Sequence, residues 1–393
     1  MAGLTTAYTD PVCSGHPLIL EEFGAWGVWN DEPRYDADAH YALATGAAAA
    51  MSYEWGISWL ARELNFWPPL PSMVARHPSL ADVRNTPSIR RAVGLFPAPS
   101  GFNWGSIYHG TPFPAAAAIA LGRLGLMGQT LGRVSRPEKV YVLVPRNFNG
   151  DRGNIKAVLD AIRVLWQQHV IFEVWQEDCL GALPSTARIL ICPNGVTPDS
   201  RQELERLRRT GVEVLSTDGD HWLRAVSALR LPLAPADGIY LMARRTKAGT
   251  LYSLIRAAPD SAILQPVKLT TQENMEIALG LRGYALVQDG SAGVNLIEAA
   301  GSVLIGGKPF CNIEKGRAIL ATDGTHGLTG ARRIRVLATE PGTIHFPRPI
   351  RSISVLQDGI DPIATLSPEA GNRSALTIDG ELVRYVLEVE FAR

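Results

Sequence analysis

One short segment near the start of the chain constrains its fold more than any other. The apolar residues Pro17–Leu20 end in two carboxylates, an aromatic residue and a glycine, Glu21–Gly24. An apolar strand that presents acids at its carboxyl end is typical of parallel α/β barrels, whose catalytic groups stand at that end of the strands. The segment therefore predicts a buried strand over Leu18–Glu22 that carries a candidate catalytic acid.

The residues after this strand predict a strand–helix–strand unit. A helix is expected from about Tyr35 to Thr45, where Gly46 is suited to end it, and a second strand is expected over Ala47–Trp55. This order is the repeating unit of an α/β barrel. A further helix is expected over about Pro114–Met127. Residues 1–135 are therefore predicted to be part of a barrel.

Two further regions follow with different patterns. Residues 136–236 alternate apolar strands, such as Val140–Val144 and Ile189–Cys192, with amphipathic helices, such as Asn154–Gln168. That alternation indicates a doubly wound parallel sheet. A charged helix through Arg209 is expected to be capped by Asp199 or Ser200 and stopped by Gly211. Residues 237–393 contain short β-rich runs separated by turn signals such as Asp289-Gly290, which favours a β-sandwich. The overall class is α/β.

Composition and charge exclude several classes of function. The 393 residues contain 38 basic and 38 acidic side chains, so no electrostatic attraction to nucleic acid or to an anionic membrane is expected. No secretory signal and no apolar run of the roughly 18–20 residues that span a bilayer are visible. The four cysteines are dispersed, and no cluster has metal-ligand spacing. We expect a cytoplasmic protein without a metal or another cofactor.

The predicted parallel sheet lacks the signals of a nucleotide site. The turn after Val140–Val144 has neither a GxGxxG nor a GxxxxGK[ST] pattern. Cys192 lies inside an apolar strand and is interpreted as structural rather than nucleophilic. The expected role of this region is a scaffold or a subunit interface.

The acid pair at the end of the first strand suits glycoside hydrolysis. Retaining glycosidases use two carboxyl groups about 5–5.5 Å apart, one as the nucleophile and one as the acid/base. Together with the apolar residues before it, Leu20–Gly24 resembles the seventh-strand nucleophile motif of the clan A retaining β-glycosidases, which are (β/α)₈ barrels. The resemblance implies that Glu22, directly before the aromatic–glycine pair, is the nucleophile, and leaves Glu21 as the less favoured choice.

The same resemblance implies the sugar-binding residues. The next strand of such a barrel ends in an aromatic side chain beneath the sugar, and Trp55 matches it in order, spacing and type. An indole face packs well against the C–H face of a pyranose. Trp26 and Trp29 could line the rim of the cleft, and Glu54 could contact substrate, although Tyr53 and Glu54 alternate in direction along the strand. Simple packing or a solvated strand end remains the alternative for each of these residues.

The order of the three regions is similar to that of β-galactosidase-type members of the clan. It implies the last two strands of a (β/α)₈ barrel, a flavodoxin-like domain and a C-terminal β-sandwich. The chain departs from the family because it contains no Asn-Glu-Pro motif, and because the residues before Glu22 are too few for six βα units. We therefore expect a partner polypeptide that carries strands one to six and the acid/base Glu, with a β-linked saccharide as substrate. The alternatives are a non-catalytic carbohydrate-binding or assembly subunit and a truncated enzyme.

Overall fold

The computed structural model is mostly strands with few helices, a mixed α/β arrangement. Outside the described residues lie the predicted helices at 35–45 and 114–127 and the candidate site residues Glu22, Trp26, Trp29, Glu54 and Trp55. The structure describes residues 19–20, 49–50, 138–146, 152–193, 196–246, 248–256, 263–322, 325–357, 361–366, 368, 373–379 and 382–392.

Two short strands near the start of the chain pair in parallel. They are β1 (Ile19–Leu20) and β2 (Ala49–Ala50), with Ile19 opposite Ala49 and Leu20 opposite Ala50. Parallel neighbours need a crossover connection between them. Two parallel strands close together in sequence are therefore the arrangement that the predicted strand–helix–strand unit requires.

A parallel sheet with helices forms the first large part of the described chain, here called the α/β unit. Its strand order is β4-β3-β5-β6, and every neighbouring pair is parallel. The elements are β3 (Val140–Val144), α1 (Arg152–Gln167), β4 (Glu173–Gln176), β5 (Ile189–Cys192), α2 (Arg201–Arg209), β6 (Glu213–Ser216) and α3 (His221–Ser227), with short 3-10 helices at Glu177–Ala182 and Pro198–Ser200.

Both faces of this sheet are covered, as the continuous apolar strands predict. Val140 and Val142 pack with Ile162 of α1 in one core, while Tyr141 and Leu143 pack in a second core on the opposite face. Successive residues of a strand point to opposite faces, so a strand buried on both sides must be apolar throughout. The predicted strands Val140–Val144 and Ile189–Cys192 are confirmed residue for residue.

The start of helix α2 differs from its predicted cap. The sequence predicts that Asp199 or Ser200 caps the helix, but Ser200 has helical dihedrals and makes no side-chain capping hydrogen bond. The 3-10 helix Pro198–Ser200 runs directly into α2, so the first turn begins earlier than the cap signal implies. The predicted stop is confirmed: α2 ends at Arg209, and Gly211 has a positive φ of 92°.

Antiparallel strands make up the rest of the described chain, here called the β unit. The β-rich character predicted for residues 237–393 is confirmed, and one hydrogen-bonded sheet of 14 strands connects its members. The strands are β7 (Leu233–Ala234), β8 (Ile239–Thr246), β9 (Gly249–Arg256), β10 (Gln265–Thr270), β11 (Glu276–Leu281), β12 (Tyr284–Gly290), β13 (Gly293–Ile305), β14 (Lys308–Ala321), β15 (Arg333–Ala338), β16 (Gly342–His345), β17 (Ile350–Gln357), β18 (Asp361–Leu366), β19 (Ala375–Ile378) and β20 (Val386–Phe391). A 3-10 helix, Leu382–Arg384, precedes the last strand.

The two longest strands change neighbours along their length. The first half of β13 pairs with β12, and its second half pairs with β11. Likewise β14 pairs with β16 and then with β15. Gly301 and Gly316 lie inside these strands with φ near +60°, a conformation in which other residues are strained. Glycine at these two positions therefore lets both strands bend between two groups of neighbours.

Polar and apolar contacts tie the α/β unit to the β unit. Glu138, just before β3, forms a largely buried ion pair with Arg245 of β8 at 3.0 Å. At the other end of the interface, Gln167 Nε2 donates to the hydroxyl of Tyr240 at 3.1 Å. Between them, Trp166 and Tyr240 pack against Met242, Ile255 and Tyr284. The junction is therefore apolar in its middle and polar at its ends.

Candidate functional site

Of the predicted catalytic centre, the structure describes the two short strands that precede Glu22 and Trp55 in the chain, β1 and β2. Glu22 follows β1 by two residues and Trp55 follows β2 by five, and the two strands run side by side in the same direction. Carboxyl ends of parallel strands meet at one edge of a sheet, which is where α/β enzymes collect their functional groups. The roles of these side chains remain predictions.

A second carboxylate stands at the end of a parallel strand in the α/β unit. Glu177 directly follows β4 and is only 2% exposed. The backbone N–H of Arg146, after β3, donates to its Oε2 at 2.6 Å, and the N–H of Thr197, after β5, donates to its Oε1 at 2.7 Å. Three loops at the carboxyl edge of the sheet therefore meet on one carboxylate.

These hydrogen bonds set the charge state of Glu177. Burial by itself raises the pKa of a carboxyl group, because it disfavours the charged form. The donors from Arg146, Thr197 and Ser200 outweigh burial and hold the pKa of Glu177 below its ordinary value. The side chain is therefore an anion at neutral pH.

The position of Glu177 decides what this edge of the sheet can bind. Open parallel sheets take their ligands outside the carboxyl ends of the strands, where the strand order reverses, and backbone N–H groups there hold anions such as phosphate. Here the carboxylate of Glu177 accepts the hydrogen bonds of the Arg146 and Thr197 N–H groups, as a bound anion would. Outside it, the exposed Arg146 guanidinium faces Asp178 and Asp199. The anion-binding N–H groups at this edge of the sheet are thus occupied by the protein's own carboxylate, which stabilises the loops after β3, β4 and β5.

Sequence reasoning missed Glu177, although a signal for it was present. An acid at the carboxyl end of a predicted strand singled out Glu22, and Glu177 likewise stands at the carboxyl end of β4. Cys192, in contrast, follows its prediction: it is buried in β5, and burial raises the pKa of its thiol to about 12. A thiol that stays protonated at neutral pH is a poor nucleophile.

A further polar cluster is buried in the β unit. The hydroxyl of Tyr252 donates to Oδ2 of Asp289 at 3.4 Å and accepts from the N–H of Gln272 at 3.0 Å. Asp289 is 2% exposed, and burial raises its pKa above the ordinary value. The sequence gives Asp289-Gly290 as a turn signal; Asp289 itself lies in β12, between β9 and β13, and the strand ends at Gly290. Without access to solvent, the cluster is suited to holding strands together.

An open cleft lies where the α/β unit meets the β unit. It has a volume of about 450 Å³ and is lined by the end of α1, the segment 230–233 and the residues that lead into β8. His169, at its base, is 4% exposed, and its Nε2 lies 3.0 Å from the carbonyl oxygen of Ile239. Burial lowers the pKa of His169, with the nearby Arg230 acting in the same direction. Sequence patterns predicted no such site.

Two searches of the described residues bear on metals and membranes. Among them, no group of three or more His, Cys, Asp or Glu side chains could hold a metal ion. No helix in the part of the chain that the structure describes is both long and apolar enough to cross a bilayer.

Comparisons with known proteins return low similarity. No protein-family model matches the chain, and no curated protein matches it. Among solved structures, α-L-fucosidase isoenzyme 2 from Paenibacillus thiaminolyticus is 12% identical, with 98% of this chain and 66% of that chain aligned and a TM-score of 0.28. A catalytic mutant of a GH42 β-galactosidase from G. stearothermophilus is 10% identical, with 96% and 60% aligned and a TM-score of 0.26.

A β-galactosidase from Rahnella sp. R3 is 12% identical to the chain, with 100% of this chain and 57% of that chain aligned and a TM-score of 0.29. The chain thus spans 57 to 66% of the length of these three structures. All three are glycosidases by name. Superpositions as loose as these assign neither fold nor activity.

Proposed function

We propose that this chain is a glycosidase-derived subunit in which Glu22 is the nucleophile of a retaining β-glycosidase and a partner chain supplies the acid/base. The observation that carries the proposal is the parallel register of β1 and β2, with Ile19 opposite Ala49 and Leu20 opposite Ala50. The chain continues from the carboxyl end of β1 to Glu22 and from the carboxyl end of β2 to Trp55, and these two strands are parallel neighbours. A nucleophile and a sugar platform on adjacent strands suit one glycoside site.

The proposed reaction has two steps. A carboxylate oxygen of Glu22 attacks the anomeric carbon while the partner's acid protonates the leaving oxygen, so the glycosidic bond breaks and a glycosyl ester forms. The partner's conjugate base then removes a proton from water, which attacks the same carbon and releases Glu22. Trp55 packs against the sugar ring during both steps, with Trp26, Trp29 and Glu54 around it.

The proposed domain layout follows the same reasoning. Residues 1–135 belong to a partial barrel, residues 136–236 to a flavodoxin-like domain and residues 237–393 to a β-sandwich. For the middle domain, the support is the parallel strand order β4-β3-β5-β6. In this order β4 lies on one side of β3, and β5 and β6 lie on the other side. For the last domain, the support is the antiparallel pairing of the strands β8–β20.

Labelling of the nucleophile tests the proposed function directly. The chain is expressed alone and together with a second chain that carries barrel strands one to six. Both samples receive aryl β-glycosides and a 2-fluoro glycoside that traps the glycosyl-enzyme. We expect hydrolysis only in the co-expressed sample, with the label on the peptide that contains Glu22. Glu22→Gln should abolish turnover and labelling, whereas Glu21→Gln should retain both. Hydrolysis by the lone chain, or a label on another residue, would contradict the proposal.

A further inference from the structure

The cleft between the α/β unit and the β unit has the size and place of a ligand site. Its volume of about 450 Å³ falls in the range of roughly 300–1,000 Å³ typical of small-molecule pockets. Such pockets occur preferentially where two parts of a protein meet. The residues that line this cleft include none of those proposed for the catalytic centre.

Hydrogen bonds among the segments that line the cleft hold its walls in place. The N–H of Leu231 donates to the carbonyl of His169 at 2.9 Å, and the His169 ring reaches the carbonyl of Ile239 at 3.0 Å. The N–H of Thr270 in β10 donates to the carbonyl of Pro232 at 3.0 Å. Because the walls are already ordered, little binding free energy is lost on ordering them when a ligand binds.

Two charged side chains in the cleft have no partner. In the described residues, neither the guanidinium of Arg230 nor the carboxylate of Asp237 makes a hydrogen bond or an ion pair, and both residues are exposed. Their charges cancel, so the cleft has no preference for a ligand of either sign. Both groups are nevertheless strong hydrogen-bonding partners, Arg230 as a donor and Asp237 as an acceptor.

The remaining lining is amphipathic. Gln168 adds an amide that both donates and accepts, and Tyr240 of β8, whose hydroxyl accepts from Gln167 Nε2, also lines the cleft. Leu231, Pro232 and Leu233 supply apolar surface along the other wall. A matching ligand is neutral, has many hydroxyl groups and exposes a C–H face. These are the properties of a saccharide.

We propose that this cleft is a saccharide-binding site, in which Arg230 and Asp237 hydrogen-bond the sugar hydroxyls and the apolar wall packs against the ring. The site goes beyond the proposed function, because it is non-catalytic and uses no residue of the barrel region. The rival ligand is a zwitterion such as a free amino acid, which would place its carboxylate on Arg230 and its ammonium on Asp237.

Isothermal titration of the full chain carrying Glu22→Gln tests this site without turnover. The probes are cellobiose, a β-linked galactobiose, glycine and glycylglycine. We expect at least one disaccharide to bind and both zwitterions to fail. Arg230→Met and Asp237→Ala should each weaken disaccharide binding by about tenfold or more, since each removes charge-assisted hydrogen bonds. Arg224→Met, an exposed arginine of α3 outside the cleft, is the matched control and should leave affinity unchanged.

The other outcomes separate this site from the catalytic one. Binding that survives both cleft variants but is lost in Trp55→Ala would place the sugar in the barrel region and overturn the cleft site. Binding of a zwitterion in place of the sugars, or of no probe at all, would overturn the saccharide assignment. Binding that is lost only in the cleft variants would support the site even if Glu22 were not the nucleophile.

Discussion

The α/β unit and the β unit both bury charged side chains, and they stabilise them in different ways. Glu177 in the α/β unit receives backbone N–H groups from the loops after two neighbouring strands. In the β unit, Glu298 is fully buried and pairs with Arg317 at 3.1 Å. Arg317 also donates to the carbonyl of Arg282 at 2.9 Å and lies over the ring of Tyr284.

The difference follows from the two kinds of sheet. In a parallel sheet the loops at one edge converge, and their N–H groups are not used by the ladder, so one carboxylate can collect several of them. Within an antiparallel sheet the backbone groups bond to neighbouring strands, so a buried charge must be neutralised by another side chain. Burial correspondingly lowers the pKa of Arg317 to about 10, whereas the pKa of Glu177 lies below its ordinary value.

The largest expected effect comes from separating the buried pair of the β unit. Arg317→Met leaves Glu298 buried without its ion-pair partner, and removal of one member of such a pair costs about 3–5 kcal/mol. Urea unfolding followed by circular dichroism measures the loss.

The double variant Arg317→Met/Glu298→Leu is the control for this experiment. Replacing a buried pair by apolar residues of similar volume is often neutral, so we expect most of the stability to return. A double variant as unstable as the single one would mean that packing around Arg317 matters more than charge.

A smaller effect is expected at Glu177. Glu177→Ala leaves the N–H groups of Arg146 and Thr197 without their acceptor, which we expect to cost about 2–3 kcal/mol of unfolding free energy. Hydrogen exchange of these two amides measures the local opening. Glu205→Ala, which removes an exposed carboxylate paired with Arg208 on α2, should change neither stability nor exchange. Unchanged exchange in Glu177→Ala would show that the loops hold their conformation without the carboxylate.

The smallest effect is the pH dependence at the junction of the two units. The pKa of His169 lies below its ordinary value of 6.5, so the unfolded chain takes up a proton before the folded one does. Stability from this group is complete above about pH 6.5 and is lost as the pH falls through the folded pKa. His169→Gln should flatten the fall in unfolding free energy between pH 7.5 and 5.5. The exposed His326→Gln should leave it unchanged, and an unaltered slope in both variants would contradict the assignment.

Particular residues show which features of the structure sequence patterns predict and which they do not. Val140–Val144 and Ile189–Cys192 were predicted correctly because a strand buried on both faces is apolar at every position. The Asp289-Gly290 turn signal falls at the end of β12, but it carries no information on the burial of Asp289, which depends on β9 and β13. Glu22 and Trp55 stay predictions, supported by the parallel strands that precede them.

The sequence by itself determined local elements: the apolar runs that form the strands Val140–Val144 and Ile189–Cys192, and the glycine that follows the end of α2. Only the tertiary structure decided which polar groups meet. Glu177 is an anion that accepts hydrogen bonds from two other loops. Arg230 and Asp237 line one cleft. No sequence spacing predicts either arrangement. The physical reason is that local conformation depends on near neighbours, whereas hydrogen bonding and the dielectric around a charge depend on segments that only folding brings together.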